Sequence, residues 1–204
     1  MSIIFLLDES SSMYPYKNEY IKAINSIIST QKILNPNVKF TLIKFSNYVK
    51  LLYYDVLMSN VEQFKSENYM PDSSTSLYDG IGYCINYKKN EKNVILVIIT
   101  DGEENTSSLF NKENIINLIN KYSKDGWEFI YIATNQNAKQ VGESLGIHTC
   151  IKYKETEKSI NNIAEACNIS IGHAIYKLTG LYNKYIDKEI PIDISDFMNN
   201  LNLN

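Results

Sequence analysis

Hydrophobic residues follow two spacings along this chain, and the alternation between the two predicts strands and helices in turn. Continuous apolar runs at 3–7 and 94–99 are typical of strands buried on both faces. Apolar positions that recur every three to four residues instead predict helices. We expect such helices at 20–34, 77–85, 115–122 and 138–145. The remaining apolar segments predict further strands at 38–45, 49–57, 127–133 and 148–153.

This order of elements predicts an α/β fold with a doubly wound, mostly parallel sheet and helices on both faces. The short turn Ser46-Asn47-Tyr48 favours an antiparallel hairpin, which makes 49–57 an antiparallel edge strand. A short helical turn is expected at 61–64. We predict one domain over residues 1–185 and a weakly ordered tail at 186–204. The domain includes an amphipathic helix from about residue 155, interrupted near Asn168 to Gly172.

The charge pattern argues against two classes of partner. The net charge is −3, and all 20 basic residues are lysines. Neither a nucleic-acid surface nor a polybasic membrane patch is therefore expected. Because arginine is missing, bidentate guanidinium binding of phosphate or carboxylate is not available to this chain.

The N-terminus and the cysteines indicate an intracellular protein. The apolar run at 3–7 is shorter than the hydrophobic region of a signal peptide, and no stretch approaches the length of a membrane span. Cys84, Cys150 and Cys167 are an odd, widely spaced set that favours neither disulfides nor a zinc site. We therefore expect a cytoplasmic location.

Polar residues at two predicted strand ends suggest a metal site. Asp8 follows the first strand and Asp101 the most hydrophobic one, and Ser10 and Ser12 come two and four residues after Asp8. In parallel sheets, ligands bind outside the carboxyl ends of the strands where the strand order reverses. Carboxylate and hydroxyl oxygens suit a hard divalent cation. We expect Mg²⁺ here, with Mn²⁺ or Ca²⁺ as alternatives.

Three motifs resemble those of a known family. Asp8-Glu9-Ser10-Ser11-Ser12 resembles the DxSxS signature of the metal-ion-dependent adhesion site of von Willebrand factor A domains. Thr75-Ser76-Leu77-Tyr78-Asp79 resembles the family's T-x-L-Y-D segment, and Thr100-Asp101-Gly102 resembles its T-D-G. The motifs occur in the family's order, although Ser73-Ser74 stand where the family often has glycines. The resemblance covers about residues 1–153. Within the family, the chain is similar to intracellular bacterial, phage and viral members.

The resemblance implies a binding module and not an enzyme. It adds Thr75 as a third hydroxyl ligand, which completes the set Asp8, Ser10, Ser12, Thr75 and Asp101. In the family the metal keeps one coordination position open, and an Asp or Glu of a partner protein fills it. Intracellular members often work beside ATPases or in multiprotein complexes, so such a partner is implied here too.

Other interpretations of the same residues remain. A Mg²⁺-dependent phosphatase could use Asp8 as nucleophile, but Ser10 stands where such enzymes normally carry a second aspartate. A scaffold with a vestigial metal site is a third possibility. One of the serines could also cap the first helix. Glu103-Glu104 is typical of a solvated turn, and Gly80 with Gly82 only weakly resembles a dinucleotide loop.

Overall fold

The computed structural model describes residues 1–101, 104–133, 138–153 and 157–180. Its six strands are β1 (Ser2–Asp8), β2 (Lys39–Phe45), β3 (Val49–Leu57), β4 (Val94–Thr100), β5 (Trp127–Ala133) and β6 (Thr149–Lys152). Its five α-helices are α1 (Lys17–Leu34), α2 (Leu77–Lys88), α3 (Lys112–Lys124), α4 (Ala138–Ser144) and α5 (Glu157–Leu178). Short 3₁₀ helices lie at Ser11–Tyr16, Met58–Asn60 and Ser66–Asn68.

The strands form one sheet in the order β3-β2-β1-β4-β5-β6. β3 runs antiparallel to β2, and the other neighbouring pairs are parallel. The predicted fold class, a mostly parallel α/β sheet with one antiparallel edge strand and helices on both faces, is confirmed.

Two apolar cores cover the two faces of the sheet. The odd-numbered residues of β1 face the core that α1 and α5 close, and its even-numbered residues face the core below α2 and α3. The residues of both sets are at most 1% exposed. This two-sided burial explains why β1 and β4 are continuous apolar runs instead of alternating ones.

Two local predictions were wrong for identifiable reasons. Residues 61–64 are not helical, because the Asn25 side chain bonds the backbone N–H and C=O of Phe64, groups that a helix would use. α5 is not interrupted between Asn168 and Gly172. There the Asn168 Oδ1 accepts a hydrogen bond of 2.8 Å from Gln31 of α1, so a polar residue is satisfied within a helix interface.

Several other predictions have simpler outcomes. Cys84 and Cys167 are buried and Cys150 is half-buried, and all three are free thiols. Over the ranges that the structure describes, no helix is long and apolar enough to cross a membrane. The predicted tail at 186–204 lies outside the described residues, so the domain limit at 185 stays a prediction.

Candidate metal centre

The candidate site lies where the chain changes direction in the sheet. From β1 the chain crosses through α1 to β2 on one side, whereas β4 pairs with β1 on the other side and is flanked by α2 and α3 on the opposite face. This arrangement leaves a crevice at the carboxyl ends of β1 and β4. Asp8 is the last residue of β1, and Asp101 directly follows β4.

Asp8 is fully buried and its carboxylate is held from two sides. Its Oδ1 accepts the Ser10 backbone N–H at 2.8 Å, and its Oδ2 accepts the Thr100 hydroxyl at 2.6 Å. Burial raises the pKa of Asp8, and the hydrogen bonds from Thr100 and Ser10 act in the opposite direction. A carboxylate in such a place is stabilised in its charged form by a nearby cation.

Ser10 and Ser12 connect the two strand ends, because the Ser10 backbone N–H already bonds Asp8. The Ser10 and Ser12 hydroxyl oxygens are 3.1 Å apart, and the Ser12 hydroxyl donates to Asp101 Oδ1 at 2.8 Å. Asp8, Ser10, Ser12 and Asp101 are therefore joined in one hydrogen-bonded chain. The structure brings together these four of the five residues singled out in the sequence.

Thr75 lies in a loop that is hydrogen-bonded to both of the loops carrying the other four residues. Thr75 is 3% exposed, and its backbone N–H and C=O both bond Asn105, four residues after Asp101. The neighbouring Ser73 carbonyl accepts both the backbone N–H and the hydroxyl of Ser11, at 3.0 and 2.9 Å. The Thr75 loop is thus tied to the loops that carry the other four residues.

These donors fit a hard cation and not a soft one. In the part of the chain that the structure describes, no three or more His, Cys, Asp or Glu side chains are grouped so that they could hold a metal ion. The candidate set instead combines two carboxylates with hydroxyls, and such oxygen donors match Mg²⁺, Mn²⁺ or Ca²⁺.

Two acidic residues next to the site have a role that the sequence analysis missed. Glu104 was expected in a solvated turn, but its carboxylate accepts the backbone N–H groups of Tyr78, Thr106 and Ser107. Asp79 accepts the backbone N–H groups of residues 108–110, each at 2.9 Å. The two carboxylates lock the start of α2 to the loop after Asp101. An acidic residue in the first turn of a predicted helix was the available signal.

The serine-cap prediction was wrong, and Gly80 and Gly82, which only weakly resembled a nucleotide loop, belong to a helix. Ser10 precedes the 3₁₀ helix Ser11–Tyr16 but makes no side-chain cap, and α1 begins only at Lys17. Its hydroxyl faces Ser12 instead. Gly80 and Gly82 lie inside α2, where a Cβ atom at Gly82 would meet the Phe110 ring at 2.5 Å. They permit close packing and do not form a nucleotide loop.

Residues 2–166 match the model of the von Willebrand factor type A domain, and the chain belongs to this family. No curated protein matches it by sequence.

Solved structures show the same fold at low identity. Proximal thread matrix protein 1 from the mussel byssus, with a zinc-occupied MIDAS motif, has a TM-score of 0.56 at 17% identity. That match covers 82% of this chain and 46% of the mussel protein, so the chain spans about half its length. The PilB minor pilin of Streptococcus sanguinis (D319A mutant) gives 0.65 at 13% identity, covering 88% and 63%. The vWF domain of the type V pili tip protein Mfa5 from Porphyromonas gingivalis gives 0.61 at 11% identity, covering 83% and 95%.

Proposed function

We propose that this chain is a divalent-cation-dependent protein-binding module. Asp8, Ser10, Ser12, Thr75 and Asp101 would hold one cation, and an acidic residue of a partner protein would complete its coordination. The observation that carries the proposal is the hydrogen-bonded chain from Thr100 through Asp8, Ser10 and Ser12 to Asp101 at the sheet's switch point.

The charge of this donor set explains why a carboxylate would bind. Only Asp8 and Asp101 supply negative charge, and the serine and threonine hydroxyls are neutral. A divalent cation bound there stays electrophilic and attracts a further carboxylate. We propose Mg²⁺ as the resident cation, because six oxygen ligands that include retained water suit it. The zinc in the mussel protein shows that a relative's MIDAS accepts another divalent ion.

A protein partner is supported by the class of relatives. Two of the similar structures are a minor pilin and the vWF domain of a type V pili tip protein. We propose that the partner offers an exposed Asp or Glu. An ATPase or multiprotein complex as partner and the cytoplasmic location stay predictions.

The phosphatase alternative is not favoured. The position two residues after Asp8 is Ser10, which has no carboxyl group to act as general acid. Its backbone N–H bonds Asp8 and its hydroxyl faces Ser12. Of the two histidines, His148 is exposed, and His173 lies beside Glu128 at the amino end of β5, the opposite edge from Asp8.

The metal assignment is tested by removing Asp8. Binding of a cation to the native state stabilises it by about 2.7 kcal/mol at a hundredfold excess over Kd. We expect Mg²⁺ to raise the melting temperature of the wild-type chain and Asp8→Ala to abolish this rise. Glu113→Ala, which removes an exposed carboxylate on α3, is the matched control and should keep the full rise. An equal rise in Asp8→Ala and the wild type would refute the assignment.

Partner capture tests the second half of the proposal. Proteins of the source cells should bind the immobilised wild-type chain in Mg²⁺ but not in EDTA, and not the Asp8→Ala chain. After a captured protein is identified, neutralising its contacting Asp or Glu should abolish binding. Capture that persists in EDTA and in Asp8→Ala would contradict a metal-mediated contact.

A further inference from the structure

We propose that Glu9 and Lys44 form a positioning pair, which holds the loops of the candidate metal site in place without binding the metal. The inference rests on the proposed function and adds two residues to its machinery. Glu9 lies inside the DxSxS motif, at one of its variable positions, and Lys44 lies near the end of β2.

The pair is a buried charge pair at positions that continue the apolar core. Glu9 follows the odd-numbered β1 residues Ile3, Phe5 and Leu7, and Lys44 follows Phe40 and Leu42 of β2, all in the same core. Lys44 Nζ and Glu9 Oε1 are 2.6 Å apart, with side-chain exposures of 5% and 2%. Buried ion pairs in general add little net stability over apolar pairs of similar volume, so their charges call for a reason other than stability.

The pair's hydrogen bonds lead to the segment that carries Thr75. Glu9 Oε1 also accepts the Met70 backbone N–H at 2.7 Å, and Lys44 Nζ donates to the Asn68 carbonyl. The Glu9 backbone carbonyl in turn accepts the N–H of Asp72 at 2.8 Å. Residues 68–72 are thereby fastened to the residue that follows Asp8.

The same loop is also bonded to the residues on either side of Glu9 in the DxSxS motif. The Tyr69 hydroxyl donates to the Asp8 carbonyl at 2.7 Å, and Ser11 bonds Ser73, two residues before Thr75. The distance between the DxSxS loop and the Thr75 loop is therefore set by contacts centred on Glu9. Ionic hydrogen bonds suit this task because they are shorter and more directional than apolar contacts.

The decisive experiment is the double variant Glu9→Gln/Lys44→Met, studied by calorimetric Mg²⁺ titration. It removes one charge of each sign, so the net charge beside the site is unchanged and no unpaired ion is left in the core. The Asn68 carbonyl loses its ammonium donor. We expect the Kd for Mg²⁺ to rise about tenfold or more. The control is Lys88→Met, which removes the buried lysine at the opposite edge of the sheet and should leave the Kd unchanged.

The single variant Lys44→Met distinguishes a lysine that positions the loops from one that acts on the metal only through its charge. Removing a positive charge near a cation site would tighten Mg²⁺ binding if the lysine acted only through its field. Positioning predicts the opposite sign, a weaker affinity. Should Lys44→Met fail to fold, the double variant alone decides the matter.

The possible outcomes distinguish this inference from the proposed function. A wild-type Kd in the double variant, together with loss of binding in Asp8→Ala, would overturn the positioning role and leave the metal site intact. No Mg²⁺ binding by the wild-type chain would overturn both. An equal loss in the double variant and in Lys88→Met would also overturn it, because the effect would then follow from general destabilisation.

Discussion

Two buried lysines lie at opposite ends of the parallel strands, and their ion pairs stabilise different kinds of structure. At the carboxyl edge, Lys44 pairs with Glu9, and both side chains are at most 5% exposed. At the amino edge, Lys88 of α2 is 4% exposed, but its partners Asp55 and Glu91 are 18% and 35% exposed. One pair is enclosed in the core, whereas the other reaches water.

The groups around each lysine differ as well. Lys88 joins the end of α2 to Asp55 of β3 and to Glu91, which precedes β4. Asp55 has a φ of 48° and lies where the register of β3 with β2 shifts. These are contacts between elements of the framework. Lys44 and Glu9 instead bond the backbone of a loop with little regular structure. A framework is already held by its apolar faces, but a loop needs specific hydrogen bonds to keep one conformation.

The largest expected effect is a loss of unfolding free energy when each buried lysine is replaced by methionine. Lys44→Met leaves the Glu9 carboxylate unpaired in the core, and breaking such a buried pair costs about 3–5 kcal/mol. Lys88→Met should cost less, because the carboxylates of Asp55 and Glu91 are partly hydrated and remain so. Denaturant unfolding in EDTA measures both values. Equal losses would contradict the contrast between the enclosed and the hydrated pair.

A smaller effect is expected at the clamp that Asp79 and Glu104 form between the start of α2 and the loop after Asp101. Asp79→Ala removes the acceptor of three backbone N–H groups at 108–110, most of them solvent-accessible. The cost in unfolding free energy should be about 1–2 kcal/mol, reduced because water can replace the lost acceptor. Mg²⁺ affinity should fall at the same time, since α2 and the Asp101 loop come apart. Glu113→Ala on α3 is the control, and unchanged affinity in Asp79→Ala would limit the clamp to stability.

The smallest effect concerns acid stability at the amino edge. Burial raises the pKa of Glu91, but hydrogen bonds from Lys88 and Ser2 outweigh it, and the pKa lies below its ordinary value of 4.5. A carboxyl group with a lowered pKa in the folded state contributes stability above 4.5, and this is lost as the pH falls through the folded-state pKa. Glu91→Gln should therefore lose less stability than the wild type when the pH falls below 4.5. Identical pH profiles of unfolding free energy would refute the role of Glu91.

Most of the framework followed from local patterns. The strands predicted at 49–57 and 127–133 have the same bounds as β3 and β5, and the helix predicted at 20–34 ends at Leu34 as α1 does. These elements were predictable because burial on one or two faces imposes its own periodicity. The turn expected at 61–64 failed because Asn25, 39 residues away from Phe64, takes over its backbone hydrogen bonds.

The candidate site likewise contains residues that the sequence identified and residues that it did not. Asp8 and Asp101 were identifiable because they end apolar strands, and Ser10 and Ser12 because of their spacing. Thr75 was carried by the motif, and its ligand role stays a prediction. Glu9 and Lys44 were not identified, because they are 35 residues apart and no local pattern marks the pair. For Glu104 the sequence predicted only a solvated turn, because its bond to Tyr78 spans 26 residues.

By itself, the sequence determined the order of strands and helices, the two-sided burial of the central strands, and the family with its candidate ligands. These depend on periodicity and on short motifs, which are local properties of the chain. Only the tertiary structure decided that Ser10 and Ser12 connect Asp8 to Asp101 by hydrogen bonds, and that a buried lysine and glutamate hold the loops around them. Such contacts depend on the register of β1 with β2 and β4. That register follows from how both faces of the sheet pack together, so no single segment of the chain contains it.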